Sequence, residues 1–180
     1  FQKKKTRHLR IPYSPWLVSS TKSGRRVEFL LALVAGRRLG DRMRKPIPNG
    51  IIGMVHLKAL PGSPEYCGDL DQVERFAVAD ANALLAGGVD AIMVENFGDV
   101  PFQKEVEAVT VSAMTRIIRT IVQLSPVPVG VNVLRNDPLS ALAIAVATEA
   151  SFIRVNVHIG AMITDQGLIE GRAAETLRLR

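Results

Sequence analysis

A chain of 180 residues, 47% hydrophobic and 22% charged, with a mean hydropathy of +0.16, is long enough for one globular domain with a substantial core and too apolar to be disordered throughout. Its single cysteine, Cys67, excludes an internal disulfide and a metal site built mainly of thiolates, and no apolar run reaches the roughly 18 residues of a membrane-spanning helix. The formal charge of +6 is uneven: residues 1–50 hold 13 of the 23 Lys and Arg but two of the 17 Asp and Glu, so a net +11 precedes a body of −5 that has no basic stripe for nucleic acid.

Residues 1–49 mix the basic clusters KKKTRHLR, GRR and GRRLGDRMRK with Ser, Pro and Gly, around one weak helical stretch at Val27 to Leu39. A disordered or non-native extension and an organelle leader both fit this composition, with a DNA-binding arm as a lesser alternative. Met43 lies directly before the first regular element, so translation from there, with 1–42 as upstream sequence or a cleaved leader, is a further reading.

From Gly50 the pattern alternates regularly. Strands are expected near 51–56, 89–95, 128–133 and 152–157, each a continuous aliphatic run of the kind buried in a parallel sheet. Helices are expected near 70–86, 106–124 and 138–149. The first has apolar residues at Val73, Phe76, Ala77, Ala81, Leu84 and Leu85 and stops at Gly87-Gly88, the second repeats the spacing, and the third opens with Asp137 as N-cap and Pro138 at its first position. A fourth helix begins in EGRAAETLRLR. Strands separated by helices imply right-handed βαβ units and the α/β class. Four units are half of an eight-stranded (β/α)8 TIM-type barrel, so residues 50–180 are expected to be its amino-terminal half, truncated at the carboxyl end, with the edges of the first and fourth strands unpaired.

Each strand ends in polar residues, where such folds gather their ligands. His56 closes the first strand beside the rigid loop LKALPGSPEY, as an acid, a base or a ligand, or merely bonded to a loop carbonyl. Glu95 and Asn96 leave the core at the end of AIMV. A carboxylate there suits a general base, or a structural ion pair with Arg135 or Arg154. Asp99 is as readily turn chemistry.

In NVLRNDP, Asn132 alternates with Val131 and Val133, Arg135 could grip a carboxylate or phosphate, and Asp137 is a ligand or only the helix cap. In RVNVH, Arg154, Asn156 and His158 alternate with two valines, implying a wet, hydrogen-bonded barrel interior. The long loop HIGAMITDQGLIEG carries Asp165 and Gln166. Glu95, His56 and His158 are thus the catalytic candidates, and Asn96, Asn132, Arg135, Asp137, Arg154, Asn156 and Asp165 the ligand-binding ones. The two histidines with Glu95 could also form a metal site with N and O ligands, a weaker alternative. No GxxxxGK[ST], GxGxxG or HExxH pattern occurs, and no cofactor can be named.

The segments GMVHLKALPGSPEY, GGVDAIMVENFGDVPF, VPVGVNVLRND and FIRVNVHIGAMITDQGLIEGRAAETLR together resemble the BtpA family over essentially all of 51–180. That resemblance implies a barrel of the ribulose-phosphate-binding type, whose phosphate site lies in strands seven and eight. It also implies a role in biogenesis or stabilisation of membrane protein complexes, photosystem I in cyanobacterial members. The alternative is an enzyme acting on a small phosphorylated or carboxylated metabolite by acid-base chemistry. The expected partners are a small-molecule ligand, a membrane surface contacted peripherally and further copies in a homo-oligomer, with no nucleic acid. The expected location is cytoplasmic or membrane-peripheral, or mitochondrial or plastid if 1–42 is a leader.

Overall fold

A computed structural model describes the backbone of residues 30–33 and the whole of residues 48–179. In chain order the elements are β1 (Leu30–Leu33), β2 (Ile52–His56), α1 (Leu70–Ala86), β3 (Ala91–Glu95), α2 (Ala108–Leu124), β4 (Val129–Asn132) and α3 (Pro138–Thr148). They continue with β5 (Phe152–Val155), β6 (Ala161–Thr164), β7 (Gly167–Glu170) and α4 (Ala173–Leu179).

The sheet runs β1-β5-β4-β3-β2, with β2 to β5 parallel and neighbours in sequence order. The fold is therefore mixed α/β, as the alternation predicts. Asp69 caps α1 by accepting from the backbone N–H of Gln72, and Asp137 caps α3 by accepting from Ser140 N–H at 3.0 Å.

Strand alternation divides the side chains between two faces. Val55, Ile92, Val94, Val129, Val131, Ile153 and Val155 join α1, α2 and α3 in one core, through Val73, Ala77 and Ala81 of α1, Ala113, Met114, Ile117, Ile118 and Ile121 of α2, and Ala141, Leu142, Ile144 and Ala145 of α3. On the opposite face Ala91, Met93 and Phe152 are buried, with Ile52 and Met54 packed against them. Gly130 allows this: a Cβ there would lie 2.3 Å from the Phe152 ring, so only glycine lets the ring lie flat against β4.

Three expectations need correcting. The weak helical stretch at Val27 to Leu39 contains a strand instead. Short apolar runs are ambiguous between helix and strand, and LLAL adds to the edge of β5 antiparallel, pairing Leu30 with Val155 and Leu33 with Phe152. The edge of the fourth parallel strand is consequently paired. The remainder of the 1–49 reading, leader or extension, lies outside the described residues. The long loop after residue 157 contains the hairpin β6–β7, whose turn residues Asp165 and Gln166 are followed by Gly167 at φ 87°. Finally, β5 stops at Val155, so Asn156 and His158 stand beyond the strand, and among the described residues the sheet face away from α1, α2 and α3 is apolar below and polar in its last row.

Candidate functional site

The last row of that face is built by register. His56 is opposite Glu95, and Glu95 is opposite Asn132. The pairing of Gly130 with Phe152 and Val131 with Ile153, carried one residue further, sets Asn132 opposite Arg154. Register partners in a parallel sheet point to the same side, so the ends of four adjacent strands deliver His, Glu, Asn and Arg as one line above the apolar floor.

Glu95 is the hub of the line. Its side chain is only 6% exposed; Oε1 meets His56 Nε2 at 3.0 Å, while Oε2 accepts from Asn132 Nδ2 at 2.8 Å and Arg154 Nη1 at 3.4 Å. Of the two arginines open to it as ion-pair partners, Arg154 makes the bond. A buried carboxylate is tolerated when paired and hydrogen-bonded, and this one has both. His56 is 48% exposed at its side chain and stacks on the half-exposed Phe97 ring, with centroids 4.4 Å apart and planes 16° from parallel. Asn132 is fully buried, and because its NH2 faces the carboxylate its Oδ1 points elsewhere, with no hydrogen-bond partner among the described residues.

A second set of polar residues shapes the loops above the row. Asn96 Oδ1 accepts from Leu134 N–H at 2.7 Å and its Nδ2 donates to Asp99, which in turn accepts from Leu60 N–H at 2.7 Å. Asn96 thus ties the loops after β2, β3 and β4 together. Burial pushes the Asp99 carboxyl above its ordinary range, against the opposing bonds from Leu60 and Asn96. Asp137 accepts from Val106 N–H at 3.0 Å as well as from Ser140, so both of its oxygens serve the chain. Asn136 exchanges two bonds with the Val157 backbone, standing in for a strand partner where β5 has ended.

Arg135 is drawn away from the row: its guanidinium lies 4.8 Å over Phe102 and meets Asp165 at 3.3 Å, at the wall of a cleft of about 310 Å³ that also includes Lys104 and Arg172. A neighbouring pocket of about 250 Å³ lies against Asn96, Asp99 and Glu107. Neither is lined by His56, Glu95, Asn132 or Arg154. Asn156 donates from Nδ2 to the Arg135 carbonyl at 2.7 Å. His158 is buried three residues past β5, with its carbonyl against Gly171. No group of three His, Cys, Asp or Glu side chains able to hold a metal forms among the described residues, so His56, His158 and Glu95 do not make the ligand set entertained from the sequence. Phe97 and Phe102 are the partners that sequence reasoning missed; for Phe97 its position directly after Glu95 and Asn96 was the available signal, whereas Phe102 follows Pro101 in the loop.

Among known proteins, the sequence matches the BtpA family over residues 47–180. The chain belongs to the BtpA family. Among its relatives, the Photosystem I biogenesis protein BtpA of Synechocystis is 56% identical over 133 residues, 73% of this chain and 46% of that protein. An uncharacterised protein of Thermococcus kodakarensis is 52% identical over 140 residues, 78% of this chain and 52% of the relative. The putative sgc region protein SgcQ of Escherichia coli is 40% identical over 130 residues, 71% and 48% of the two chains. The chain spans about half the length of these relatives. No solved structure matches it. No helix among the described residues is long and apolar enough to cross a membrane.

Proposed function

We propose that β2 to β5 form one side of an eight-stranded barrel and that the His56–Glu95–Asn132–Arg154 row is half of a small-molecule site at the carboxyl ends of its strands. The winding supports this: four parallel strands adjacent in sequence order, with their helices on one face, continue naturally into a closed barrel, whereas a doubly wound sheet reverses its order. Relatives about twice as long have room for the other side.

The contact between His56 Nε2 and Glu95 Oε1 carries the chemical reading. A carboxylate receiving Asn132 and Arg154 on its other oxygen is held as an acceptor, so neutral His56 keeps its proton on Nε2 and leaves the Nδ1 lone pair to act as a base. In this arrangement His56 is the acid-base group and Glu95 positions it. The substrate class is a small phosphorylated or carboxylated metabolite, whose charge Arg154 can meet from the end of the row. Thermal melting of the whole protein against sugar phosphates, hydroxy acids and divalent metals tests the reading. At least one ligand should raise the melting temperature by a few degrees, and Glu95→Gln should abolish the rise; a panel without effect sinks it.

A second reading, biogenesis of membrane protein complexes, is favoured by the role that the name of the Synechocystis relative carries. It goes with a peripheral location at a membrane surface and with self-association. If folded Glu95→Gln protein still supports complex assembly in cells while losing its ligand response, the two roles are separate.

A further inference from the structure

We infer that the hairpin β6–β7 is a lid over the cleft next to Arg135, hinged at Gly160 and Gly171 and latched shut by the ion pair of Arg135 with Asp165; that it governs entry to a small-molecule site rests on the function proposed above. The cleft, of about 310 Å³, has two walls of different origin. The loops after β3 and β4 supply one, through residues 103–105, Arg135 and Asn136, and the hairpin supplies the other, through Leu168 and Ile169. The first wall is tied into the body, since Asn136 exchanges bonds with the Val157 backbone and the Arg135 carbonyl accepts from Asn156. The second is not: among the described residues β6 and β7 pair only with each other and join no ladder of the five-stranded sheet.

A two-stranded hairpin without a third strand is marginally stable by itself, so its position depends on what fastens it. Of its apolar cross-strand pairs, Met162 with Ile169 and Ile163 with Leu168, Ile169 alone is buried, and Ile163 is 85% exposed. At the turn, Arg135 Nη2 donates to Asp165 Oδ2 at 3.3 Å, the one hydrogen bond among the described residues that joins 161–170 to the body. The guanidinium is itself placed by the Phe102 ring beneath it. Both members of the pair reach solvent, so the pair shifts an opening equilibrium by about twofold to fivefold, enough to bias a lid and too little to lock it. At the neck, Gly171 N–H donates to the Gly160 carbonyl at 2.7 Å. Glycine is required on both sides of that bond: Gly160 has φ 70°, and a Cβ on Gly171 would lie 2.4 Å from the His158 carbonyl oxygen. A swing about this two-glycine neck breaks one exposed ion pair, uncovers Ile169 and opens the cleft along its hairpin side.

Two measurements on the whole protein test the lid without any ligand. In a Cys67→Ser background, which removes the single cysteine, Ile169→Cys reports opening through its rate of labelling by a water-soluble thiol reagent. Hydrogen exchange of the 161–170 amides reports the same opening in protein that keeps Ile169 in place. Asp165→Asn should raise both rates about twofold to fivefold and leave exchange in β3 and β4 unchanged. Salt at about 1 M should do the same to the parent protein and add nothing to Asp165→Asn. The exchanged pair, Arg135→Asp with Asp165→Arg, should restore the parent rates. Rates that ignore both Asp165→Asn and salt, or hairpin amides that exchange only as slowly as those of β3 and β4, make the hairpin a fixed wall and overturn the lid, while the response of the row to the ligand panel is unaffected. If both rates respond and no ligand of that panel raises the melting temperature, the hinge and latch stand and the small-molecule reading falls.

Discussion

Asn132 lies opposite Glu95 in the sheet register and donates to its Oε2 at 2.8 Å, while its own carbonyl oxygen has no partner among the described residues. An interior built only for stability would have no use for that half-satisfied amide. Its neighbours explain the placement, since the same carboxylate receives His56 from one side and Arg154 from the other.

Removing the hub should expose how much the row costs. Glu95→Ala leaves the buried Asn132 amide without its acceptor and removes one partner of the Arg154 guanidinium, and should destabilise the protein by about 2–4 kcal/mol. Glu95→Gln keeps one acceptor oxygen and should cost about half as much. The half-exposed His56 contributes little to either figure. Urea denaturation of the three proteins measures the order.

The apolar floor predicts an effect on the same face from a residue with no polar atom in its side chain. Gly130→Ala forces a methyl group to within 2.3 Å of Phe152, a buried ring on a neighbouring strand, and should cost about 2–3 kcal/mol. Shortening the ring side chain in Gly130→Ala with Phe152→Leu should recover part of that loss. Equal stability of Gly130→Ala and the parent protein would contradict the packing described.

Asp99 gives the loops a pH dependence of defined sign. Burial raises its carboxyl above the ordinary 3.8, so the folded protein holds this proton more tightly than the unfolded chain does. Its stabilising contribution is complete below 3.8 and is lost as pH rises through the higher folded value. Asp99→Asn keeps an oxygen for the Leu60 N–H but turns an amide towards Asn96, so it should be less stable overall, with a flatter stability profile just above 3.8. Chemical denaturation across roughly pH 4 to 7 reads the slope directly.

The sheet and helices were legible because their signals are local. The run AIMV reads as buried on both faces, Gly87-Gly88 ends α1, and Asp137-Pro138 starts α3. The row was legible as a set of four strand ends, but its wiring was not: whether Arg154 or Arg135 pairs with Glu95 depends on a one-strand offset that only register supplies. The alternation in RVNVH overreached, because periodicity does not say where a strand stops, and the Asn136 side chain takes over the pairing at Val157. The hairpin β6–β7 was read as loop although Asp165-Gln166-Gly167 sits between two apolar runs. The pairing of β1 with β5 came from an open edge, a tertiary demand that a short apolar segment does not announce.

The protonation of His56 tests the central claim most directly. Nitrogen NMR of the neutral imidazole ring in the whole protein distinguishes a proton on Nε2 from one on Nδ1. The contact with Glu95 predicts the Nε2–H form in the parent protein and a mixture of both forms in Glu95→Gln. A parent protein in the Nδ1–H form, or a ring indifferent to Glu95→Gln, would contradict a His56 positioned by Glu95 as the acid-base group of this site.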